Sequence, residues 1–286
     1  MQLLDFSQLG VSTILGVGKE PTNEYYLTNE QLCKHLIYNK IRAYNQKFSN
    51  QYGDMVICLE GKNNWRYESF QYYKHNRKTT KAEDVETWTE LYRVLEATVN
   101  DLIEFFPFAV LRVNRTEADD VLATLARYIN EPNIIISSDK DFMQLLSLPH
   151  VSQYDPRTEA MKKLDVTPEQ YILEHVLGGD RSDGIPNILS PDNFFLCADG
   201  VRQKSITKKY KEEFIGRLKN KELTNEEVKN FKRNSKLINL SEIPKEIKVA
   251  ILEQYSRYEI KGNHKTLLNY FIENQYTAFV ECVNEF

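Results

Sequence analysis

The chain has 286 residues, of which 41% are apolar; that is enough for one large domain, or one domain with an appended lobe, and too many apolar residues for a disordered chain. Its formal net charge of −4 does not announce a nucleic-acid binder, but the sum hides local concentrations of basic residues whose distribution matters more. No stretch approaches the roughly 18 consecutive apolar residues of a membrane span, and the opening "MQLLDFSQLG" has neither the basic n-region nor the cleavage pattern of a secretory signal.

In chain order, "QLLDF", "MVICLE", "FAVLRV" and "NIIISS" are short runs rich in β-branched or apolar residues and predict buried strands. Helical patterns lie between them. "TNEQLCKHLIYNKIRAYNQ" opens on a Thr28…Gln31 capping box. The segment 62–81, "KNNWRYESFQYYKHNRKTTK", carries six Lys/Arg, five aromatics and one acid. "DVETWTELYRVLEATVNDLIEFF" is a long helical pattern. In "TEADDVLATLARYI", Ala118, Val121, Leu122, Leu125, Ala126 and Ile129 make a core-facing stripe. Strands alternating with helices predict a mainly parallel sheet covered on both faces. After about residue 165 the pattern changes: "TPEQYILEHVLGG" predicts a helix capped by Thr167, with Pro168 at its first position and Gly178-Gly179 at its end. From there to Phe286 helices and loops are expected. The predicted organisation is an α/β core over 1–165 and a helical C-terminal lobe over 166–286. Cys33, Cys58, Cys197 and Cys282 are scattered with no C-x-x-C pair and read as reduced thiols of a cytoplasmic protein.

In open parallel sheets ligands bind beyond the carboxyl ends of the strands, and acidic residues lie close to those ends in sequence. Asp5 closes the first run, Glu60 the second, and Asp139 and Asp141 the fourth; Glu117, Asp119 and Asp120 open the helix after the third. Asp180 and Asp183 follow the paired glycines in "LGGDRSDGIPN". Each has an ordinary reading: turn chemistry for Asp-x-Asp, dipole complementation for "TEADD". Carboxylates converging from separate segments would repel unless cations neutralise them. Hard oxygen ligands without clustered His or Cys favour Mg²⁺ or Mn²⁺ over zinc. On a helical wheel Glu117 and Asp120 share one flank of the stripe and Asp119 lies on the other, so a site served by all three must lie near the helix N-terminus, where side chains can converge along the axis; Asp119 and Glu117 are preferred over Asp120 as ligand candidates.

The segments "LLDFSQ", "CLEGKNNWR", "YYKHNR", "EADDVLA", "ISSDKDFMQL" and "GGDRSDGI", in this order, resemble the flap endonuclease and 5′-nuclease family, in particular its phage subgroup. The resemblance runs from residue 3 to about 185 and implies a PIN-like nuclease core. It also implies two Mg²⁺ ions, with Mn²⁺ able to substitute. Asp5, Glu117, Asp119 and Asp139 would form the tighter site; Asp141, Asp180 and Asp183, with Asp120 as a further candidate, would hold the second ion directly or through water. The implied chemistry is in-line attack by a metal-activated water that leaves a 5′-phosphate and a 3′-hydroxyl. Residues 64–85 would form the arch over the active site. Lys74 and Arg77 would steer the scissile phosphate, supported by Arg66 and Tyr73. Independently, the alternation of basic and aromatic residues suits single strands, although Trp65 and Phe70 can equally be core residues of an amphipathic helix. Lys204, Ser205, Lys208 and Lys209, within the basic stretch "VRQKSITKKYK", would contact duplex backbone.

Two departures from the family pattern matter. Glu60 stands where the family has Asp, which moves the carboxylate outward by about 1.5 Å, a displacement of the order that can cost about 10²-fold in rate. The glycine-rich turn that binds duplex, often with potassium, is not present in "GDRSDGIPNILSPDNFFLCADGVRQKSITKK". The expected function is a metal-dependent 5′-to-3′ exonuclease and flap endonuclease acting on DNA and RNA·DNA hybrid. By family role it would remove RNA primers in phage lagging-strand replication, as a monomer in the cytoplasm of the infected host. Single-strand-binding protein and sliding clamp are the partners that role suggests. The competing reading is a structure-specific DNA-binding module whose catalysis is weakened by Glu60. A PIN-type ribonuclease acting on plain single-stranded RNA fits less well with the length, the arch segment and the helical lobe.

Overall fold

A computed structural model describes residues 1–16, 29–75, 77, 85–197 and 201–286. β1 (Gln2–Asp5) is followed by α1 (Phe6–Gly16), α2 (Glu30–Tyr52), β2 (Met55–Leu59), the short α3 (Trp65–Ser69), α4 (Val85–Phe105), β3 (Ala109–Arg112), α5 (Ala118–Tyr128) and β4 (Asn133–Ile136). A 3-10 helix (Lys140–Ser147) leads to β5 (Val151–Asp155) and β6 (Ala160–Met161). The remainder is helical: α6 (Pro168–Gly178), α7 (Phe194–Cys197), α8 (Lys208–Asn220), α9 (Asn225–Ile238), α10 (Lys245–Ser256), α11 (His264–Glu273) and α12 (Thr277–Val280). The four predicted strands are present, and α6 carries the expected Thr167 cap and proline. Thr28 lies outside the described residues, as do 76 and 78–84 of the predicted arch segment. The cap of α2 is Asn29, whose side-chain oxygen accepts from the Leu32 N–H at 3.1 Å, in keeping with the strong preference of Asn for that position.

Among the described residues one sheet forms, in the order β3-β2-β1-β4-β5-β6, parallel except for the last pair. The chain steps outward one way from β1 to β3 and the other way from β4, so the topological switch point lies between β1 and β4. Asp5 ends one of these strands, and the Ser137–Asp139 loop follows the other. Side chains alternate across the sheet with period two. Leu4, Ile57, Val110, Ile134 and Ile136 face a core built with α2, α4 and α11. Leu3, Val56, Cys58, Leu111 and Ile135 face a second core with α5 and α10. Both faces are therefore finished by helices from beyond residue 240, and Phe286 is buried in the first of these cores.

β5 was not legible as a strand because polar Gln153 and Asp155 occupy two of its buried positions. Gln153 is fully buried and its amide donates to the carbonyls of Ser137 (2.9 Å) and Asp139 (2.7 Å), bracing the loop after β4. The loops after β2 and β3 are zipped together: Gly61 N–H donates to Thr116 O at 3.0 Å and Arg115 N–H to Lys62 O at 2.6 Å. A Cβ on Gly61 would lie 1.7 Å from the Val113 carbonyl oxygen, so this position needs glycine for close backbone approach, whatever its φ.

Gly61→Ala is therefore expected to destabilise the protein by about 3 kcal/mol or more, because backbone has to move to admit the methyl group. Urea denaturation checks this; an unchanged midpoint would show that the two loops are not held at this separation.

Candidate active site

The carboxyl ends of the parallel strands open into a cleft of about 810 Å³ lined by Asp5, Glu60, Glu117, Asp119, Asp139, Asp141, Asp180 and Asp183. Lys74 and Arg77 also line it, and Phe6, Val11, Trp88, Tyr92, Leu95 and Val99 give it an apolar wall. Each acid is placed by a local device. Asp5 ends β1 and accepts from the Gln8 N–H at 3.1 Å and the Ser137 hydroxyl at 3.0 Å. Asp139 caps the 3-10 helix, its carboxylate accepting from the Asp141 N–H at 2.8 Å. Glu117 is the N-cap residue of α5, which places Asp119 in the helix's first turn. Gly179 (φ 71°) ends α6 in a conformation suited to glycine and turns the chain into the Asp180–Asp183 loop.

One side of the cleft carries its own countercharge. The Lys74 ammonium sits against Glu117 and lies 3.9 Å from Asp183, while Arg77 pairs with Asp183 at 2.6 Å. The Tyr73 hydroxyl lies 2.7 Å from Glu117 Oε2 and 2.9 Å from Asp183 Oδ2, between the two carboxylates. The Lys74 backbone is left-handed (φ 51°) and pinned by its N–H to the Asp183 carbonyl at 2.8 Å. Burial raises the Glu117 carboxyl, but Lys74 and Arg66 outweigh it and hold the group below its ordinary range. Asp180 is likewise held well below its ordinary range: burial works against ionisation but is outweighed by His175, Lys140 and Ser182. At Asp183 burial wins over Lys74 and Arg77, and its carboxyl is raised.

The other side lacks that compensation. Burial, then the neighbouring Asp139 and Glu60 charges, push Asp5 up to about 6 despite its hydrogen bonds. Burial, followed by Asp139, Glu117 and Asp5, pushes Asp119 well above the carboxylate range. Burial, then Asp139, takes Asp141 to about 7. Asp141 Oδ1 is buried with no hydrogen-bond partner. Desolvated carboxylates that raise one another and leave an acceptor unpaired have the chemistry of a hard-cation site, and an oxygen-rich donor set fits Mg²⁺ or Mn²⁺.

The structure brings together every predicted carboxylate except Asp120, which it removes from the candidate ligands. Asp120 is fully buried, and both its oxygens are engaged by Arg66 (2.9 and 2.8 Å), with the Trp65 indole N–H at 3.1 Å and the Glu117 N–H at 3.0 Å. Arg66 is also corrected. It is 3% exposed, its guanidinium packs 4.6 Å from the Trp65 ring, and its Nε donates to Leu237 O, so it is a buried strut with no face for nucleic acid. Tyr73, 1% exposed, is no surface stacking platform either; it positions Glu117 and Asp183. Trp65 and Phe70 are core, as the simpler reading of the amphipathic segment had it. Lys204, Ser205, Lys208 and Lys209 are exposed around the N-terminus of α8, outside the cleft lining. Ser137, Gln153 and His175 are among the contributors that escaped sequence reasoning. Gln153 carried no signal, whereas His175, beside Asp141 and Asp180, lies five residues before Asp180 on the last turn of a predicted helix.

A parallel sheet with carboxylates gathered at its switch point, and Lys74 and Arg77 facing them, defines the resolvase-like α/β class of phosphodiester hydrolases. Residues 24–176 match the family described as "5′-3′ exonuclease, N-terminal resolvase-like domain", and the chain belongs to that family. Residues 166–286 match the domain described as "T4 RNase H, C terminal". Ribonuclease H of Enterobacteria phage T4 is 28% identical over 295 residues, covering 99% of this chain and 95% of that protein. The fold is shared with zinc-bound T5 5′-exonuclease (TM-score 0.62, 17% identity, 89% of this chain and 97% of that one). It is also shared with the bacteriophage T5 D15 flap endonuclease in a complex with DNA and metal ions (TM-score 0.58, 17% identity, 90% and 99% covered).

Truncating Arg66 to Ala strands a buried carboxylate and is expected to cost about 3–5 kcal/mol. The Arg66→Ala/Asp120→Ala double variant should lose less than the sum of the single changes. Additive losses in a denaturation double-mutant cycle would show that the pair is not coupled.

Proposed function

We propose that this protein is a Mg²⁺-dependent 5′-to-3′ exonuclease and flap endonuclease that removes RNA primers and adjacent DNA from 5′ ends. The observation that carries the reading is the divided cleft: Asp5, Asp119 and Asp141 are raised by burial and by neighbouring acids, and no Lys or Arg ion pair is formed by them among the described residues, while Lys74 and Arg77 are paired with Glu117 and Asp183 opposite. Asp5, Glu117, Asp119 and Asp139 would hold one divalent cation, and Asp141, Asp180 and Asp183 a second, some of them through water. Bound there, the cations supply positive charge to the attacking water and the leaving oxygen of an in-line displacement.

The remaining roles belong to the chain. Lys74 and Arg77 exchange their carboxylate partners for the scissile phosphate and carry its negative charge through the transition state. Tyr73 fixes the spacing of Glu117 and Asp183, and Gln153 and Ser137 fix the approach of Asp139 to Asp5. Trp88 and Tyr92 on the apolar wall give unpaired bases a surface to stack on. Lys204, Ser205, Lys208 and Lys209 would hold duplex backbone near the α8 N-terminus, where amide groups favour phosphate. Glu60, exposed on the cleft lining and near enough to add to the charge felt by Asp5, would reach a cation through water. On this reading the protein acts as a monomer in the cytoplasm of a phage-infected cell, where single-strand-binding protein and sliding clamp would be its replication partners.

The test uses a 5′-labelled flap substrate and an RNA·DNA hybrid in Mg²⁺. The parent is expected to cut both, Asp139→Asn to lose roughly 100-fold or more in rate, and Lys74→Ala to lose roughly 100-fold in kcat. Glu60→Asp should cut within about tenfold of the parent. A parent that binds the flap without cutting it, while Glu60→Asp cuts, would replace this reading with that of a weakened enzyme. Binding with no cleavage from any of the four would favour a DNA-binding module.

A further inference from the structure

His175 stands behind the cleft carboxylates and has no part in the ligand set proposed above. Its side chain is 9% exposed. The turn at Gly179 folds the chain back so that Asp180 meets the ring five residues later, with Nε2 3.3 Å from Asp180 Oδ2. That carboxylate also receives the Lys140 ammonium at 2.8 Å and the Ser182 N–H at 2.8 Å. An ionised carboxylate can only accept, so the proton of the neutral ring belongs on Nε2, and Nδ1 is left with its lone pair. Nδ1 is buried without a hydrogen-bond partner. It lies 3.5 Å from Asp141 Oδ1, which is buried and unpartnered as well.

With the ring neutral and Asp141 ionised, two acceptors without partners face one another, and a shared cation would relieve both. Donors bound to one ion at about 2.1 Å each, at angles of roughly 90–110°, lie about 3–3.5 Å apart. A carboxylate on the far nitrogen of a ligating imidazole, as Asp180 is here, is the usual support of a metal-binding histidine: it fixes the tautomer and raises the basicity of the ligand.

We infer that His175 Nδ1 and Asp141 Oδ1 together bind a divalent cation, with Asp180 orienting the imidazole. The nitrogen donor makes this position prefer a transition cation such as Co²⁺ or Zn²⁺ over Mg²⁺. This deepens the reading of the cleft as a two-cation site and rests on it: the second cation has an imidazole among its ligands, and Asp180 acts on it through His175. The preference follows from ligand type, because imidazole nitrogen suits transition ions while Mg²⁺ favours oxygen donors.

The experiment titrates the metal-free full chain with Co²⁺ and separately with Mg²⁺ by calorimetry, and records proton NMR spectra of the Co²⁺ form. The expected result is a hyperfine-shifted resonance from the Nε2 proton that disappears in D₂O. His175→Asn and His175→Gln should both lose it and bind Co²⁺ about 10- to 100-fold more weakly, with Mg²⁺ affinity changed by less than about threefold. Thermal unfolding without metal establishes that the variants fold; if they do not, the resonance of the unaltered protein decides alone. Co²⁺ bound without that resonance would overturn the inference in favour of an imidazolium bridging two carboxylates. Equal losses of Co²⁺ and Mg²⁺ affinity, or unchanged Co²⁺ affinity, would overturn it too. Flap cleavage in Mg²⁺, measured in parallel, judges the nuclease reading separately: its absence beside the expected Co²⁺ result would sink that reading and leave the cation position standing.

Discussion

The mutual repulsion of carboxylates gathered at the β1/β4 switch point is the constraint the rest of the molecule answers. A parallel sheet delivers strand ends to one edge, and here several of those ends carry acids. Water would screen such a group, but Asp5, Asp119 and Asp141 are largely removed from it, and burial is the leading cause of the upward shift in each. The fold offsets the repulsion unevenly, by bringing Lys74 and Arg77, from the segment predicted as the arch, onto Glu117 and Asp183, and Lys140 and His175 onto Asp180. On the proposed reading cation binding and substrate binding would be linked, since the side chains that would receive phosphate are the ones that balance the acids without it.

That arrangement depends on a buried strut that meets the cleft at Glu117, whose Oε2 lies 3.3 Å from the Arg66 guanidinium. Arg66 joins the start of the arch segment to the first turn of α5 through Asp120 and to the end of α9 through the Leu237 carbonyl. Desolvating a guanidinium and a carboxylate is costly, and the pair is tolerable because nearly all of its hydrogen-bonding capacity is met. Its contribution is registry: with Arg66 anchored, Phe70 and Tyr73 are seated in the small core they share with Val176 and Ile185, and Lys74 is aimed at Glu117.

The helical second half carries a parallel device. The carbonyls of the turn after Ile185 are gathered by the guanidinium of Arg233, which donates to Pro186 O at 2.8 Å and pairs with Asp192 at 2.6 Å, and by the amide of Asn234, which donates to Pro186 O at 2.9 Å. Internal side-chain cations and amides thus hold the loop without the glycine-rich pattern that the sequence lacks. Farther on, α10 and α11 finish the two faces of the sheet, so the half of the chain read as a separate lobe also supplies part of the central packing.

The sequence by itself determined four of the five parallel strands, the main helices with their apolar stripes, and the identity of the acids. These are local properties: runs of β-branched residues, period-3.6 stripes, and Asp or Glu at the ends of elements. It also singled out Lys74 and Arg77, though through resemblance rather than spacing. Only the tertiary structure decided which charges meet. Asp119 and Asp120 are neighbours in one helical turn, yet one faces the cleft and the other is locked to Arg66, because successive residues on a helix point about 100° apart. Only the tertiary structure, too, seated Tyr73 between two carboxylates, buried Gln153 under the Asp139 loop and placed His175 against Asp141. Each of those contacts joins elements far apart in the chain, and burial, which sets both the pKa and the partner of a polar side chain, is a property of the packed molecule.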